Sequence, residues 1–425
     1  MAGERSEQRL RRVLLLTAAC STVLSGLSGC RSPVPFYAPG HDRDTAVLGL
    51  GGPVPYVGTA GTVDEVDTAG RPVAAAAIPG SGPAGEPNAT AAGTAPEVYA
   101  WTRRGMLGEA VRGLSARVWA PNPRDGTLDV IDQRTLRTVR RIKVGGTPQQ
   151  VVPSWDLKTL WLIDGTGGSV TRVDPRTGRH GPAVPVDSPK DLYFTPDGTT
   201  ALVMVGRQPR IDFRDPRTMR LRASLPLPCG GVRHADFAPD GAFLVASCRL
   251  SGRLVRVDPR RREVTGVLTL GPGAAPQDVR LSPDGTVFYV SDMARDGVWL
   301  VDARRFSHVG FIRTGAGAEG LHLSRDAEAL YVSNTGDGTI AVVDFARRKV
   351  VRRWRLPAGG SPGTGGVSAD GTVLWLPDRS LARAYKISTR TGAVIGRIDI
   401  GEGPRALCVY PQPGRHSLGH TGNLR

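Results

Sequence analysis

Aromatic residues are scarce in this 425-residue chain, at 6%, and apart from Phe306 and Trp354 they do not interleave with its arginines. Single-stranded nucleic acid is usually held by bases stacked on aromatics set among cations, so a nucleic-acid partner is not expected. Cysteine is limited to five residues. None of them lies in Cys-x-x-Cys-His spacing, which excludes covalently attached c-type haem. A P-loop, a serine nucleophile elbow and a Glu-rich calcium loop are all missing. No residues stand at fixed metal-ligand spacing, so neither metal nor cofactor is expected. Residues 13–27 form the main apolar run, too short for a comfortable membrane span.

Against these absences stand two short phrases, each recurring seven times along the chain with a period of roughly 40 residues. One is an apolar pair before a turn-forming residue: Val130-Ile131-Asp132, Arg172-Val173-Asp174, Phe213-Arg214-Asp215, Arg256-Val257-Asp258, Leu300-Val301-Asp302, Val342-Val343-Asp344 and the degenerate Lys386-Ile387-Ser388. The other is a tight turn: Ser154-Trp155-Asp156, Pro196-Asp197-Gly198, Pro239-Asp240-Gly241, Pro283-Asp284-Gly285, Arg325-Asp326-Ala327, Ala369-Asp370-Gly371 and Pro411-Gln412-Pro413. The two ladders stay in phase from one end of the array to the other.

Four strand-like stretches fill each unit. In one, Gln277-Asp278-Val279-Arg280-Leu281 leads into the Pro283-Asp284-Gly285 turn. Pro presets φ there, Asp bonds nearby backbone, and Gly supplies a positive φ. Val287-Phe288-Tyr289-Val290-Ser291, Gly297-Val298-Trp299-Leu300-Val301-Asp302 and His308-Val309-Gly310-Phe311-Ile312 follow, rich in β-branched and aromatic residues. A period of about 40 with four strands per unit predicts an all-β chain, a seven-bladed β-propeller of four-stranded antiparallel blades over residues 98–413. The array starts with a second strand at Arg117 and ends with a lone first strand near Arg405 to Tyr410. The C-terminal strand is therefore expected to join the N-terminal blade and close the ring, removing the open edges.

Tyr331-Val332-Ser333-Asn334 with Gly338-Thr339-Ile340-Ala341-Val342-Val343-Asp344 resembles the repeat of the YVTN family of β-propellers. Val118-Trp119-Ala120-Pro121-Asn122 with Leu128-Asp129-Val130-Ile131-Asp132 is a second copy, and Phe288-Tyr289-Val290-Ser291-Asp292 a third. The third blade, with Phe213-Arg214-Asp215, departs most. The resemblance implies the propeller fold and export from a bacterial cytoplasm. It implies little about activity.

Arg5, Arg9, Arg11 and Arg12 precede the apolar stretch, which ends Leu27-Ser28-Gly29-Cys30. This resembles a lipoprotein signal over residues 1–29, with lipidation of Cys30 and anchoring to the outer face of the cell membrane. Arg11-Arg12 is compatible with twin-arginine as well as general export, and a cleaved soluble secretory signal is the alternative. Residues 30–97 turn to Gly, Ala and Pro and are expected to form a disordered tether, reaching on the order of 45 Å root-mean-square. Residues 97–114 read as a short helix or an extra strand. The tail, residues 414–425, belongs to no repeat and is expected to fray; otherwise it folds across an end of the channel, bringing His416 and His420. A bridge between Cys229 and Cys248 is feasible if Gly230-Gly231 lets the loop fold back. Cys408 reads as a buried thiol.

The net charge of +16 is almost all arginine, in runs after the third strands such as Arg134, Arg137, Arg140 and Arg141, or Arg260, Arg261 and Arg262. These belong on the outer circumference, as a solvated rim or as an attractor for anionic envelope polymers. Counting back from each turn Asp gives a polar ring at the channel mouth: Gln149-Gln150, Lys190-Asp191, Arg233-His234, Gln277-Asp278, Glu319-Gly320, Gly363-Thr364 and Arg405-Ala406. Asp236, Arg280 and His322 fall on the same side by period-two alternation.

Three readings of that sector stay open. It is a satisfied ionic network between blades, such as Asp236 with Arg280. Or Arg233, Gln277, Arg280 and Arg405 bind a small anionic or polar ligand. Or His234, Asp236, Asp278 and His322 carry metal or acid–base chemistry. For the whole chain, the expected role is a monomeric binding or interaction module at the cell envelope, its partner an envelope protein, a polymer or a small polar ligand. The alternative is a propeller enzyme, a lactone hydrolase or a haem-d1-like oxidoreductase module, by fold analogy alone.

Overall fold

The computed structural model describes residues 97–425; the signal segment, Cys30 and the tether up to residue 96 lie outside them. Among the described residues, seven antiparallel sheets follow one another around a ring. The first blade spans 117–143, the second 148–185, the third 189–226 and the fourth 232–269. The fifth spans 276–313, the sixth 318–355 and the seventh 366–399. Burial falls from the inside out. The inner strand of the fifth blade, Pro276–Leu281, is wholly buried, whereas the outer strand of the first, Arg137–Lys143, is almost wholly exposed.

Each turn is held by the chemistry its residues suggest. At Pro196-Asp197-Gly198, Thr195 Oγ1 donates to Asp197 Oδ1 at 2.6 Å and the Thr199 N–H donates to the same oxygen at 3.1 Å. Gly198 takes a φ of +68°, which costs glycine least. Asp174, at the end of a third strand, accepts from the N–H groups of Arg176 and Thr177.

Among the described residues, an apolar cluster occupies every interface between successive blades. Tyr193, Met204 and Phe213 of the third blade meet Val232, Phe237 and Val255 of the fourth, and Val118 and Ile131 of the first meet Trp375 and Ala384 of the seventh. No blade encloses a core of its own, so neighbours must stack. Cys408–Tyr410 pairs antiparallel with Arg117–Trp119, setting Val409 opposite Val118. This is the ring closure the repeat order predicts. The seventh blade has the shortest inner strand, Gly366–Val367. The chain before the closing strand runs alongside it, with Thr364 N–H donating to Arg405 O and Leu407 N–H to Thr364 O.

Two segments that the sequence left with alternatives take definite form. Residues 97–114 form two 3-10 turns, Ala100–Thr102 and Glu109–Val111, anchored by buried Tyr99, whose hydroxyl donates to Leu281 O at 2.8 Å. The tail does not fray. Ser417–Gly419 and Asn423–Leu424 form a hairpin that joins the sheet of the third blade, Gly419 opposite Tyr193. It enters at the face of the tight turns, where Ser417 N–H donates to Trp155 O and His416 stacks on Trp155. Its bend lies inside the channel. A Cβ on Gly419 would stand 2.2 Å from Leu192 O, so only glycine permits this approach.

Candidate functional site

The channel is lined by the inner strands, and the tail hairpin fills it. Asp191, Asp236 and Asp278 are buried there, and each first serves the fold. Asp236 accepts from its own neighbour Phe237 N–H and, through Oδ2, from Leu281 N–H of the next blade at 2.8 Å. Asp278 repeats this with Val279 and Leu321 N–H. Asp191 accepts from Leu192 N–H and from Tyr193 Oη, which in turn accepts Ala235 N–H from the fourth blade. The carboxylates thus stitch blade to blade through otherwise orphaned donors.

Their charges are answered by the tail. Asn423 Nδ2 and Arg425 Nη2 each lie 2.8 Å from Asp236 Oδ1, and Arg425 stacks over Tyr99. His420 Nδ1 lies 2.8 Å from Asp191 Oδ2, and its Nε2 lies 3.7 Å from Asp278 Oδ2. Burial disfavours the His420 charge, yet Asp191 and Asp278 outweigh it and push the pKa up to about 9. Burial likewise works against the two carboxylates, but His420 beside Asp191, and Arg280 with His420 beside Asp278, hold both well below the usual range. The ionic-network reading is therefore present with a different partner. Asp236 pairs directly with Arg425, while Arg280 Nε donates to Leu321 O at 3.2 Å.

Among the described residues, His234, Asp236, Asp278 and His322 do not converge as a metal-ligating group, although Asp278 acts on both His234 and His322. His234 Nδ1 instead lies 2.8 Å from Asp191 Oδ2. His322 has its pKa brought down to about 3 by burial, against the opposing pull of Asp278. Gln150 reaches His420, its amide nitrogen 2.6 Å from Nδ1. A cavity of about 30 Å³ is lined by Tyr99, Arg280, His322, Arg325, Gln412 and Asn423 among others, room for roughly one water.

The opposite end, where the inner strands begin, collects cations. Gln149, Lys190, Arg233, Gln277 and Glu319 hold the second position of their strands, and exposed Arg405 holds the equivalent place before the closing strand. Arg249 and Arg379 follow the second strands of the fourth and seventh blades. Arg233 is partly buried; burial lowers its pKa, and Arg249, Arg405 and Arg379 push the same way against Glu319. Lys190 is lowered by burial, then by Arg233 and Arg405, against Asp187. Glu319 is itself bound to Arg379, and Asp187 faces Arg210 at 3.5 Å. Gln277 is buried, with its backbone oxygen accepting from Ser247 Oγ. Of the sequence-derived ligand candidates, Arg233 and Arg405 share this mouth, whereas Arg280 is buried below it.

A disulfide joins Cys229 and Cys248 beside Arg249, and Cys408 is a buried free thiol. The residues sequence reasoning missed are Asn423 and Arg425, which follow no repeat. Their signal was chemical: a polar segment with two His and two Arg, facing a channel with three buried Asp.

The family model for YNCE-like beta-propellers matches residues 91–413. The chain belongs to that family. Proteins named YncE from Salmonella typhi and Salmonella typhimurium are 25% identical to it over 203 residues, 43% of this chain and 56% of theirs; both are described as uncharacterized. The match thus spans little more than half the length of those relatives. A protein of unknown function from Desulfotomaculum acetoxidans superposes with a TM-score of 0.59 at 14% identity, covering 69% of this chain and 99% of its own. The dihydro-heme d1 dehydrogenase NirN, in complex with DHE, gives 0.52 at 15% identity, covering 71% and 77%. Hydrazine synthase of Kuenenia stuttgartiensis gives 0.52 at 19% identity, covering 61% and 88%. At these identities the likeness is one of fold.

Proposed function

We propose that this propeller is a binding module of the cell envelope, tethered through lipidated Cys30, that takes a small carboxylate- or phosphate-bearing ligand at the mouth formed by Lys190, Arg233 and Arg405. The observation that carries this reading is the crowding of Lys190, Arg233, Arg249, Arg379 and Arg405 around one opening, with the half-buried members destabilised by their neighbours. Like charges gathered where water is partly excluded lower the cost of binding an anion. Guanidinium groups suit planar or tetrahedral oxyanions through paired N–H donors. The Leu27-Ser28-Gly29-Cys30 sequence supports the anchor, and the Cys229–Cys248 disulfide fits an oxidising compartment. The filled channel argues against the enzyme alternative in the form of a cofactor-sized group housed there.

Calorimetric titration of the purified chain with inorganic phosphate and citrate tests the ligand class. Binding should weaken with salt and be lost in Arg233→Ala/Arg405→Ala without a large melting shift. Binding unchanged in that double variant contradicts the mouth. Cys30→Ser should move the protein from the membrane fraction to the soluble one; unchanged fractionation contradicts the anchor.

A further inference from the structure

We propose that Asp191, His234 and His420 form a divalent-metal site, suited to zinc, that clasps residues 414–425 inside the channel. Three elements distant in sequence deliver the donors: the inner strands of the third and fourth blades, and the bend of the tail hairpin. Asp191 Oδ2 lies 2.8 Å from His234 Nδ1 and 2.8 Å from His420 Nδ1, and one donor atom from each residue falls within 4.8 Å of the others. In a tetrahedral site with bonds of about 2.0–2.2 Å, donors stand roughly 3.3 Å apart. The two carboxylate–imidazole distances need to open by about half an ångström, and the two imidazoles, within 4.8 Å, need to adjust with them through side-chain rotation.

The hydrogen-bond arrangement around His420 points the same way. Its Nδ1 faces both Asp191 Oδ2 and the Gln150 amide nitrogen, the latter at 2.6 Å. If Nδ1 carries a proton for Asp191, it confronts the Gln150 N–H; if it accepts from Gln150, it confronts the carboxylate with a lone pair. Turning the Gln150 amide relieves this by presenting its oxygen, and Asp191, both imidazoles and that oxygen can then all direct lone pairs to a cation at the convergence. Two imidazoles, a carboxylate and an amide oxygen form a donor set in the range zinc accepts.

The surroundings are those of a supported site. Asp191 is fixed by Leu192 N–H on Oδ1 and Tyr193 Oη on Oδ2, both at 2.8 Å. His420 Nε2 lies 3.7 Å from Asp278 Oδ2, a short side-chain movement away from the hydrogen bond by which a carboxylate orients a ligating ring. Tyr193 lies nearly parallel to the His420 ring. Asp191 and His420 are buried, whereas His234 is part-exposed towards the mouth, which gives an ion its way in. The ion would tie the hairpin to both blades together.

The test uses the purified full chain, chelated, exposed to excess zinc and passed through a desalting column. One zinc per chain should be retained, falling below about a tenth of an equivalent in His234→Ala and His420→Ala, while exposed His180→Ala keeps the full equivalent. Absence of zinc from the unaltered protein, or full retention in both ligand variants, overturns the site. Should a variant fail to fold, cobalt substitution of the unaltered chain decides. Intense tetrahedral absorption supports the assignment, and weak octahedral absorption contradicts it. Phosphate titration of the chelated protein reports on the cationic mouth separately, so each reading stands or falls alone.

Discussion

His420 Nδ1 and Asp191 Oδ2 meet at 2.8 Å across 229 residues of sequence, at the bend of a hairpin held within a closed ring of sheets. The contact explains why buried carboxylates are tolerable in the channel. They hold the blades together through backbone N–H groups, and the tail offsets their charge.

The first prediction concerns that tail. Gly419→Ala places a methyl against Leu192 O and displaces the hairpin that carries His420, and a chain ending at Pro413 removes the hairpin outright. Leaving a buried charge without its partner costs about 3–5 kcal/mol, reduced here by water entering the emptied channel. Both changes should lower urea stability by a few kcal/mol. Unchanged midpoints would mean that the hairpin contributes little.

Ring closure can be separated from the hairpin. A chain ending before Pro404 loses both the tail and the strand that pairs with Arg117–Trp119, whereas one ending at Pro413 loses only the tail. The shorter chain should melt well below the longer one and aggregate through its opened sheet edges. Equal melting of the two would contradict closure by Cys408–Tyr410.

Acid should weaken the fold before the carboxylates titrate. His322 is held neutral, its pKa about 3 against an ordinary 6.5. Below pH 6.5 the unfolded chain takes up a proton that the folded chain refuses. The stability this neutral His confers is complete above pH 6.5 and is lost as pH falls towards 3, at up to about 1.4 kcal/mol per pH unit. His416 is depressed in the same direction, by burial and then by Arg425 and Arg415, and adds to the slope. Urea melts between pH 6.5 and 4.5 should show a shallower slope in His322→Gln; an identical slope rules His322 out as the source.

The disulfide closes a loop with a sequence separation of 19, worth about 3 kcal/mol in chain entropy. Thiol reductant, or Cys229→Ser with Cys248→Ser, should lower stability by about that amount. Insensitivity to reductant would show that the bond adds nothing to the fold in solution.

The periodic part of this architecture was legible in the residues. Asp156, Asp197 and their equivalents mark the turns, so counting back placed Gln150, Asp191, His234 and Asp278 on inner strands. Alternation then put Asp236, Arg280 and His322 towards the channel. The partners of those groups were not legible, because residues 414–425 repeat nothing and pair through shape as much as charge: Gly419 is chosen by the proximity of Leu192 O, which no local pattern encodes. Residues 97–114 were ambiguous for a related reason. Their turns form around Tyr99 and Val111, which bury against blades far away in sequence.

The tail hairpin occupies the channel, and amide hydrogen exchange of the full chain tests that arrangement most directly. Ser417–Gly419 and Asn423–Leu424 should exchange as slowly as inner strands such as Pro276–Leu281. Exchange of those amides at the rate of an unstructured peptide would place the tail outside the ring and contradict the arrangement.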